Sequence, residues 1–296
     1  MENEIKKAGV SKKLSEFIKG PATLDRLSDR SLPVIIVIGA SDSGKTTLIE
    51  GLSDMLSRHM ETGIIDLDMG QSHIGAPTTM AWGRVKGGFK GWGDIKVEDL
   101  YFTGTTSPPG NLLPALVGAK KLRDKAASKC PKVIIDTTGL VSEPLGRVFK
   151  QYKIDLLSPD IIIALERDHE LENILSPYKN LKKPTILRID VPEAVKLKSR
   201  LKRFDFRAVR FRHYFENSIE IRVNIKKTGV RFTRSADEDG LIKRAVSFRD
   251  SNGDDIGIGV IEGADLDNDK LIIRTPLKEG VRFAALVIGE AKIDMV

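Results

Sequence analysis

Short apolar runs alternate with amphipathic stretches along the first two thirds of the chain. The apolar runs have the uninterrupted, β-branched character of strands that are covered on both faces. They lie at 34–38, 63–68, 132–137, 160–165 and 184–190. Helical periodicity occurs between several of them, at 46–59, 111–128 and 143–157. Buried strands that alternate with helices predict a doubly wound α/β domain with a mostly parallel sheet.

The two ends of the chain have different patterns. Residues 1–30 predict a polar helical lead-in, in which Leu14, Phe17 and Ile18 share one apolar helix face that packs on the next domain. After Phe215, short apolar runs separated by Asp-Gly, Asn-Gly and Glu-Gly turns indicate a small all-β domain. We therefore predict three regions, which are the lead-in at 1–30, an α/β domain at 31–216 and a β domain at 217–296.

Composition limits the classes of protein that this chain can represent. With 296 residues, of which 41% are hydrophobic and 30% charged, it is long enough to bury a core without disulfides or metals. The single cysteine, Cys130, excludes a disulfide framework and a multi-cysteine zinc site. No secretory signal or apolar run of about 20 residues occurs, so we expect a cytoplasmic protein with no membrane contact.

Residues 39–46 match the phosphate-binding pattern G-x-x-x-x-G-K-[ST] in full. The pattern follows a predicted buried strand and opens a predicted helix, which is the context that a P-loop requires. Backbone N–H groups would surround the phosphates, Lys45 would reach the β- and γ-phosphates, and the Thr46 hydroxyl would bind Mg²⁺. The predicted nucleotide contacts are Gly39, Ser41, Asp42, Ser43, Gly44, Lys45, Thr46 and Thr47.

Acidic residues end two other predicted strands, in the sequences DLDMGQ at 66–71 and IIDTTG at 134–139. Because the carboxyl ends of parallel strands meet at one edge of a sheet, Asp66, Asp68 and Asp136 should face the same crevice as the P-loop. One acid would support Mg²⁺ while another accepts a proton from an attacking hydroxyl. The predicted metal site is Thr46 with Asp66 or Asp136.

A GTP-hydrolysing switch is a weaker alternative. The sequence DTTG at 136–139 fits the D-x-x-G element of such switches. However, the later strand end at 187–190 reads LRID and lacks the N/T-K-x-D sequence that selects guanine.

The excess of basic residues is concentrated in one segment. The chain has a net charge of +7, and residues 196–212 contain eight basic residues and one acid. Arg203 and Arg207 are four residues apart, so they share one helix face and could clamp a phosphoryl group. Interleaved phenylalanines suggest stacking platforms for nucleic acid, or side chains of a solvated helix that pack onto the core.

Five motifs in this order resemble those of the polynucleotide 5′-hydroxyl kinases of eukaryotic pre-mRNA cleavage and pre-ribosomal RNA processing complexes, together with their archaeal relatives. The motifs lie at 39–47, 66–71, 101–108, 136–139 and 203–215. The resemblance implies transfer of the ATP γ-phosphate to the 5′-hydroxyl of RNA, with DNA as a second acceptor, and protein partners from RNA-processing complexes.

The same resemblance implies a role for each matched residue. Lys45 would hold the phosphates and Thr46 the Mg²⁺, while Asp68 would activate the 5′-hydroxyl and Asp66 would support the metal or Lys45. The substrate's terminal nucleotide would be held by Gln71, Thr106, Thr138, Gly139 and Leu140. Arg203 and Arg207 would belong to an arginine-rich lid at about 192–215.

The sequence departs from the eukaryotic pattern at two places. Leu140 occupies the position where those members carry a base-stacking tryptophan, and only about thirty residues precede the first strand, where they have a β-domain that helps to hold adenine. The choice between ATP and GTP therefore stays open. Because some members act mainly as scaffolds, an ATP-binding assembly factor is an alternative to a kinase.

Overall fold

The centre of the molecule is a parallel sheet with the strand order β7-β6-β1-β5-β2. We describe it from a computed structural model, whose described residues are 12–195, 199–233 and 238–294. These strands are β1 (Val34–Gly39), β2 (Thr62–Asp66), β5 (Lys132–Asp136), β6 (Ile161–Glu166) and β7 (Thr185–Asp190). All four pairings among them are parallel. The predicted doubly wound α/β fold is confirmed.

Helices cover both faces of this sheet. The α-helices of the described residues are α1 (Lys12–Ser15), α2 (Pro21–Ser28), α3 (Lys45–Ser57), α4 (Leu112–Lys129), α5 (Leu145–Leu157), α6 (Glu172–Leu175), α7 (Arg200–Tyr214) and α8 (Glu238–Leu241), of which α7 and α8 pack against the C-terminal strands. Ile36 and Ile38 of β1 pack in the core beneath α4 and α5, whereas Ile35 and Val37 pack in the core beneath α3. This alternation explains why the strand is apolar at every position.

Two strands that the apolar pattern did not predict extend the sheet beyond β2. They are β3 (Thr79–Val85) and β4 (Val97–Phe102), and both pair antiparallel with their neighbours. Glu98 and Asp99 interrupt the apolar character of β4, but each carboxylate has a cationic partner, in Arg84 and Lys125 respectively. A search for apolar runs does not detect a strand that contains such paired acids, so β4 was not predicted.

The C-terminal strands continue the same sheet. They are β8 (Ile219–Asn224), β9 (Gly229–Phe232), β10 (Arg244–Arg249), β11 (Asp255–Asp265), β12 (Lys270–Thr275) and β13 (Ala285–Lys292). The junction between β4 and β11 has one residue pair, Leu100 with Asp255, and the Asp255 carboxylate also accepts from the Phe102 N–H at 2.9 Å. One hydrophobic core lies within the C-terminal region, whereas a second also contains Ala76 and Phe102 from before the predicted boundary. The boundary at 216/217 stays a prediction.

The N-terminal lead-in packs against the P-loop helix. Leu14, Phe17 and Ile18 are buried, and Leu14 lies so close to Gly51 of α3 that an added Cβ there would be 2.8 Å from its side chain. Residues 1–11 of the predicted lead-in and residues 196–198 of the predicted lid lie outside the described residues. In the described part of the chain, no helix has the length and apolar character needed to cross a membrane.

Candidate active site

The P-loop has the backbone geometry of a phosphate cradle. It joins β1 to α3, and both Asp42 (φ 56°) and Gly44 (φ 90°) have left-handed backbone conformations. A Cβ on Gly39 would be 2.5 Å from the Ser43 Oγ, so the loop closes only around a glycine. The Lys45 Nζ donates to the carbonyls of Gly39 at 3.0 Å and Ala40 at 2.6 Å. The lysine therefore lies over its own loop, where phosphates would bind.

One cavity of about 330 Å³ brings most of the predicted site residues together. Its lining contains the P-loop from Ser41 to Thr47, with Asp68, Gln71, Asp136 and Gly139 from the neighbouring strand ends. The parallel sheet produces this convergence, because β1, β2 and β5 are adjacent and in register, with the Cα of Asp66 opposite that of Asp136.

Asp66 and Asp68 differ sharply in their partners. The carboxylate of Asp66 is buried, and it accepts hydrogen bonds from the backbone N–H groups of Asp68 and His73 at 3.0 and 2.6 Å. It also accepts from the Ser72 hydroxyl at 3.2 Å. Both oxygens of Asp66 thus organise the acidic loop, which we define as residues 66–75. This geometry favours Asp136 over Asp66 for the metal, although each role stays a prediction.

Asp68 keeps one oxygen available to the cavity. Its Oδ1 accepts from the N–H groups of Gly70 and Gln71, both at 3.0 Å, which fixes the carboxylate plane. Its Oδ2 has no hydrogen bond to any residue that the structure describes. A fixed carboxylate with one free oxygen beside a P-loop has the arrangement expected of a general base.

Asp136 lies close to Lys45 and the two other acids. Burial, reinforced by the neighbouring charge of Asp66, raises the pKa of Asp136 to about 7, and Lys45 acts in the opposite direction. Burial also raises the pKa of Asp66. Among the described residues, no cluster of three His, Cys, Asp or Glu side chains could hold a metal alone. An Mg²⁺ ion here would therefore need nucleotide phosphates in addition to Thr46 and Asp136.

The predicted substrate-binding residues lie in different environments. Gln71 and Gly139 line the cavity, while Leu140 packs partly buried against the core. The Thr138 hydroxyl is buried and has no hydrogen-bond partner among the described residues. Thr106 approaches the acidic loop through its backbone, because a Cβ on Gly70 would be 2.5 Å from the Thr106 carbonyl oxygen.

We call residues 136–140 the TTG turn, and it packs directly on the P-loop. A Cβ on Gly139 would be only 2.5 Å from the Ser41 N. The only residue type that permits this approach is glycine, so the turn and the phosphate cradle have a fixed relative position.

Helix α7, which we call the lid helix, crosses the acidic loop and reaches the P-loop. Arg203 forms an ion pair with Asp42 at 2.5 Å, and Arg210 donates to the carbonyls of His73 and Gly75 at 3.0 and 2.7 Å. Arg207, half-buried, makes no ion pair with any described residue. Of the two predicted lid arginines, Arg203 therefore forms an ion pair with the P-loop, and Arg207 forms none with the residues that the structure describes.

The phenylalanines of the lid helix do not form one platform. Phe211 and Phe215 pack against the core of the C-terminal strands, as the solvated-helix alternative predicted. Phe206 contacts the His73 ring with centroids 5.3 Å apart, whereas Phe204 is 61% exposed. The segment therefore combines packing, contact with the acidic loop and an exposed ring.

Comparison with known proteins identifies the family. The profile of the family described as mRNA cleavage and polyadenylation factor CLP1 P-loop matches residues 39–217. The chain belongs to this family. The predicted resemblance is thereby confirmed, and the P-loop described above is the CLP1-family nucleotide-binding element.

Relatives of this CLP1-family chain include named archaeal kinases. A polyribonucleotide 5′-hydroxyl-kinase of Methanocaldococcus jannaschii is 38% identical over 197 residues, covering 66% of this chain and 54% of that protein. One from Pyrococcus abyssi is 32% identical over 256 residues, covering 84% of this chain and 68% of that protein. One from Pyrococcus horikoshii is 34% identical over 203 residues, covering 68% of this chain and 55% of that protein. The matches thus span between about half and two thirds of these relatives' length.

Solved structures of Clp1p share the fold. A Clp1p–Pcf11p complex superposes with a TM-score of 0.73 at 14% identity, covering 92% of this chain and 77% of that one. A second structure, which describes the interface between Pcf11p and Clp1p, has a TM-score of 0.71 at 14% identity, with 92% and 78% coverage. At this identity the likeness establishes the architecture alone.

Several residues of the CLP1-family site were missed by the sequence analysis. Phe17 and Val195 line the cavity and touch Gly44 from the lead-in and from the loop after β7. Their hydrophobic character gave no sign of this position. Arg210 was counted as one base among eight, although its carbonyl contacts distinguish it. The signal that was available but not used is Lys150, a lysine on the apolar face of a predicted helix.

Proposed function

We propose that the chain is an ATP-dependent kinase that phosphorylates the 5′-hydroxyl of RNA. The observation that carries the proposal is the shared cavity, in which a complete P-loop, the Asp68 carboxylate and the TTG turn meet. The names of the archaeal relatives support RNA as the acceptor. The same proposal includes RNA-processing proteins as partners, a cytoplasmic location and a domain boundary at 216/217.

In this reaction the 5′-oxygen would attack the γ-phosphorus of ATP. A new O–P bond forms while the bond from the γ-phosphorus to the β,γ-bridging oxygen breaks, and ADP leaves. The Oδ2 of Asp68 would take the proton of the attacking hydroxyl. Lys45 would exchange the carbonyls of Gly39 and Ala40 for phosphate oxygens, and Arg203 would exchange Asp42 for the transferring group.

The residues present fit an Mg²⁺·nucleotide. The buried Ser43 hydroxyl has no hydrogen-bond partner among the described residues, which leaves it able to donate to a phosphate oxygen. The Thr46 hydroxyl and the Asp136 carboxylate would hold the ion, with Asp66 as the alternative acid. When bound, Mg²⁺ would neutralise part of the negative charge of the phosphates.

Transfer of label from γ-labelled ATP to an oligonucleotide tests the proposal. Matched RNA and DNA oligonucleotides, each with and without a 5′-phosphate, define the acceptor, and competition with GTP tests nucleotide selectivity. We expect labelling of 5′-hydroxyl RNA only when Mg²⁺ is present. Lys45→Ala and Asp68→Asn should abolish it, whereas Lys90→Ala and Asp94→Asn, at exposed positions, should not.

Absence of transfer by the intact protein, across metals, triphosphates and oligonucleotides, would refute the kinase. Tight ATP binding without transfer would favour an ATP-loaded assembly factor, and preferential GTP binding with hydrolysis would favour a switch. A pull-down of protein partners with and without ATP separates the assembly role from catalysis, and Lys45→Ala is its control.

A further inference from the structure

Helix α5 buries two lysines directly beneath the active site. Lys150 and Lys153 are both completely inaccessible to solvent, which is rare for lysine. Their environments nevertheless differ. The Nζ of Lys150 donates to the Thr137 Oγ1 at 2.8 Å and to the Thr138 carbonyl at 2.6 Å. The Nζ of Lys153 has no hydrogen-bond partner among the described residues and lies 4.2 Å from the centroid of the Phe149 ring.

The bonds of Lys150 connect the TTG turn to the strand that precedes the P-loop. The Thr137 hydroxyl accepts from Lys150 and donates to the Val37 carbonyl at 2.8 Å. Val37 is two residues before Gly39, where the P-loop begins. One buried amine thus fixes the turn to β1, although 13 residues separate Lys150 from Thr137.

The same bonds fix the orientation of Thr138 within the turn. Lys150 holds the Thr138 carbonyl on the interior side, whereas the Thr138 hydroxyl is buried without a partner among the described residues. Gly139 follows in contact with Ser41 and lines the cavity. A neutral or a charged amine has enough N–H groups for both bonds. Protonation therefore does not decide this role.

We propose that Lys150 is a positioning residue, which holds the TTG turn so that Thr138 and Gly139 receive the terminal nucleotide of a 5′-hydroxyl RNA. This inference rests on the proposed function. Lys150 does not reach the cavity, and it acts through the backbone and hydroxyl that it binds.

Substitution by methionine tests this role, because methionine fills similar space and donates no hydrogen bond. We expect Lys150→Met to raise the KM for a 5′-hydroxyl RNA oligonucleotide about tenfold, with the KM for ATP within about twofold of the unchanged protein. Lys153→Met removes a second buried amine from the same helix and should leave both KM values unchanged. Unfolding curves of both variants show whether a change in stability accompanies a change in KM.

Affinity for RNA gives a readout that does not need turnover. Fluorescence anisotropy of a labelled 5′-hydroxyl oligonucleotide, with a non-hydrolysable ATP analogue present, should show about tenfold weaker binding for Lys150→Met. Thr137→Val removes one acceptor of the same amine, so the effects of the two substitutions should not add. If Lys150→Met does not fold, Lys150→Gln keeps N–H donors at a shorter reach and should weaken binding less than Thr137→Val.

The outcomes separate this inference from the proposed function. An intact protein that transfers no label, but loses RNA affinity on substitution of Lys150, refutes the kinase and supports the positioning role. An active protein whose Lys150→Met variant keeps its KM and affinity for RNA refutes the positioning role. Equal increases in the KM for RNA and for ATP also refute it, because Lys150 would then support the P-loop in general.

Discussion

Lys153 should destabilise the folded protein near neutral pH. Burial lowers the pKa of its ammonium from the usual 10.5 to about 7, although the charges of Asp68 and Asp136 act in the opposite direction. At about 1.4 kcal/mol per pKa unit, this shift sets an upper limit of about 5 kcal/mol on the cost of burying the group at pH 7. The ammonium also makes a favourable contact with the Phe149 ring, and its loss in the methionine variant would lower the gain in the free energy of unfolding by about 1–2 kcal/mol. We therefore expect Lys153→Met to raise the free energy of unfolding by about 3 kcal/mol at pH 7.

The sign of the effect follows from which state binds the proton. Between pH 7 and 10.5 the unfolded chain carries the proton and the folded protein does not, so unfolding is favoured as the pH falls through this range. Below about pH 7 both states are protonated and the penalty is constant. Above 10.5 neither is protonated and the penalty vanishes. The advantage of the methionine variant should therefore shrink by about 1.4 kcal/mol per pH unit above pH 7.

Urea unfolding at pH 7, 8.5 and 10 measures this difference directly. Lys90→Met, at an exposed position, is the matched control and should change the free energy of unfolding by less than about 0.5 kcal/mol. The reasoning is refuted if the Lys153 variant is less stable at pH 7. It is also refuted if the difference between the variant and the unchanged protein is independent of pH.

Three further predictions concern the active site. Gly139→Ala would place a Cβ 2.5 Å from the Ser41 N, so we expect label transfer to be at least about tenfold slower, with an unchanged circular dichroism spectrum. A rate of label transfer within twofold of that of the unchanged protein would contradict the close contact. Burial and the charge of Asp66 raise the pKa of Asp136 to about 7, so its carboxylate becomes protonated as the pH falls below this value. We therefore expect calorimetry to show Mg²⁺-dependent nucleotide binding that is about tenfold weaker at pH 6 than at pH 8. Asp136→Asn should remove this dependence on pH. Asp42→Asn removes the ion pair with Arg203, so trypsin should cleave the lid helix severalfold faster without nucleotide; an unchanged rate would show that the pair does not hold the helix.

The pairing of Arg203 with Asp42 holds a lid arginine against the P-loop. Asp42 lies at a position where phosphates would bind, and its side chain is only 5% exposed. In the proposed reaction, a phosphate would replace Asp42 as the partner of Arg203. Lys45 is occupied similarly, by the carbonyls of Gly39 and Ala40. In the proposed reaction both cations would exchange partners that already hold them near the phosphate site, which would limit the reorganisation that binding requires.

Features that depend on neighbouring residues were predictable from the sequence. The P-loop is one, because its strand, turn and helix are contiguous in the sequence. Its glycines permit a close contact at position 39 and a left-handed backbone at position 44. Four of the five predicted buried strands are another, because two covered faces require apolar residues throughout in β1, β2, β5 and β6. The prediction of burial was wrong for β7, an edge strand of the sheet that is only partly buried. The meeting of Asp68 and Asp136 with the P-loop followed from the rule that parallel strands end at one edge.

Only the tertiary structure decided which hydrogen-bond partners those residues have. Asp66 and Asp68 look equivalent in the sequence, but hydrogen bonds from residues 68–74 occupy Asp66 and leave one oxygen of Asp68 free. Strands β3 and β4 carry polar residues whose partners are distant in sequence. Lys150 reaches the TTG turn because a whole helix packs beneath it. Such contacts arise from the packing of remote segments, and a periodicity or a motif contains no information about them.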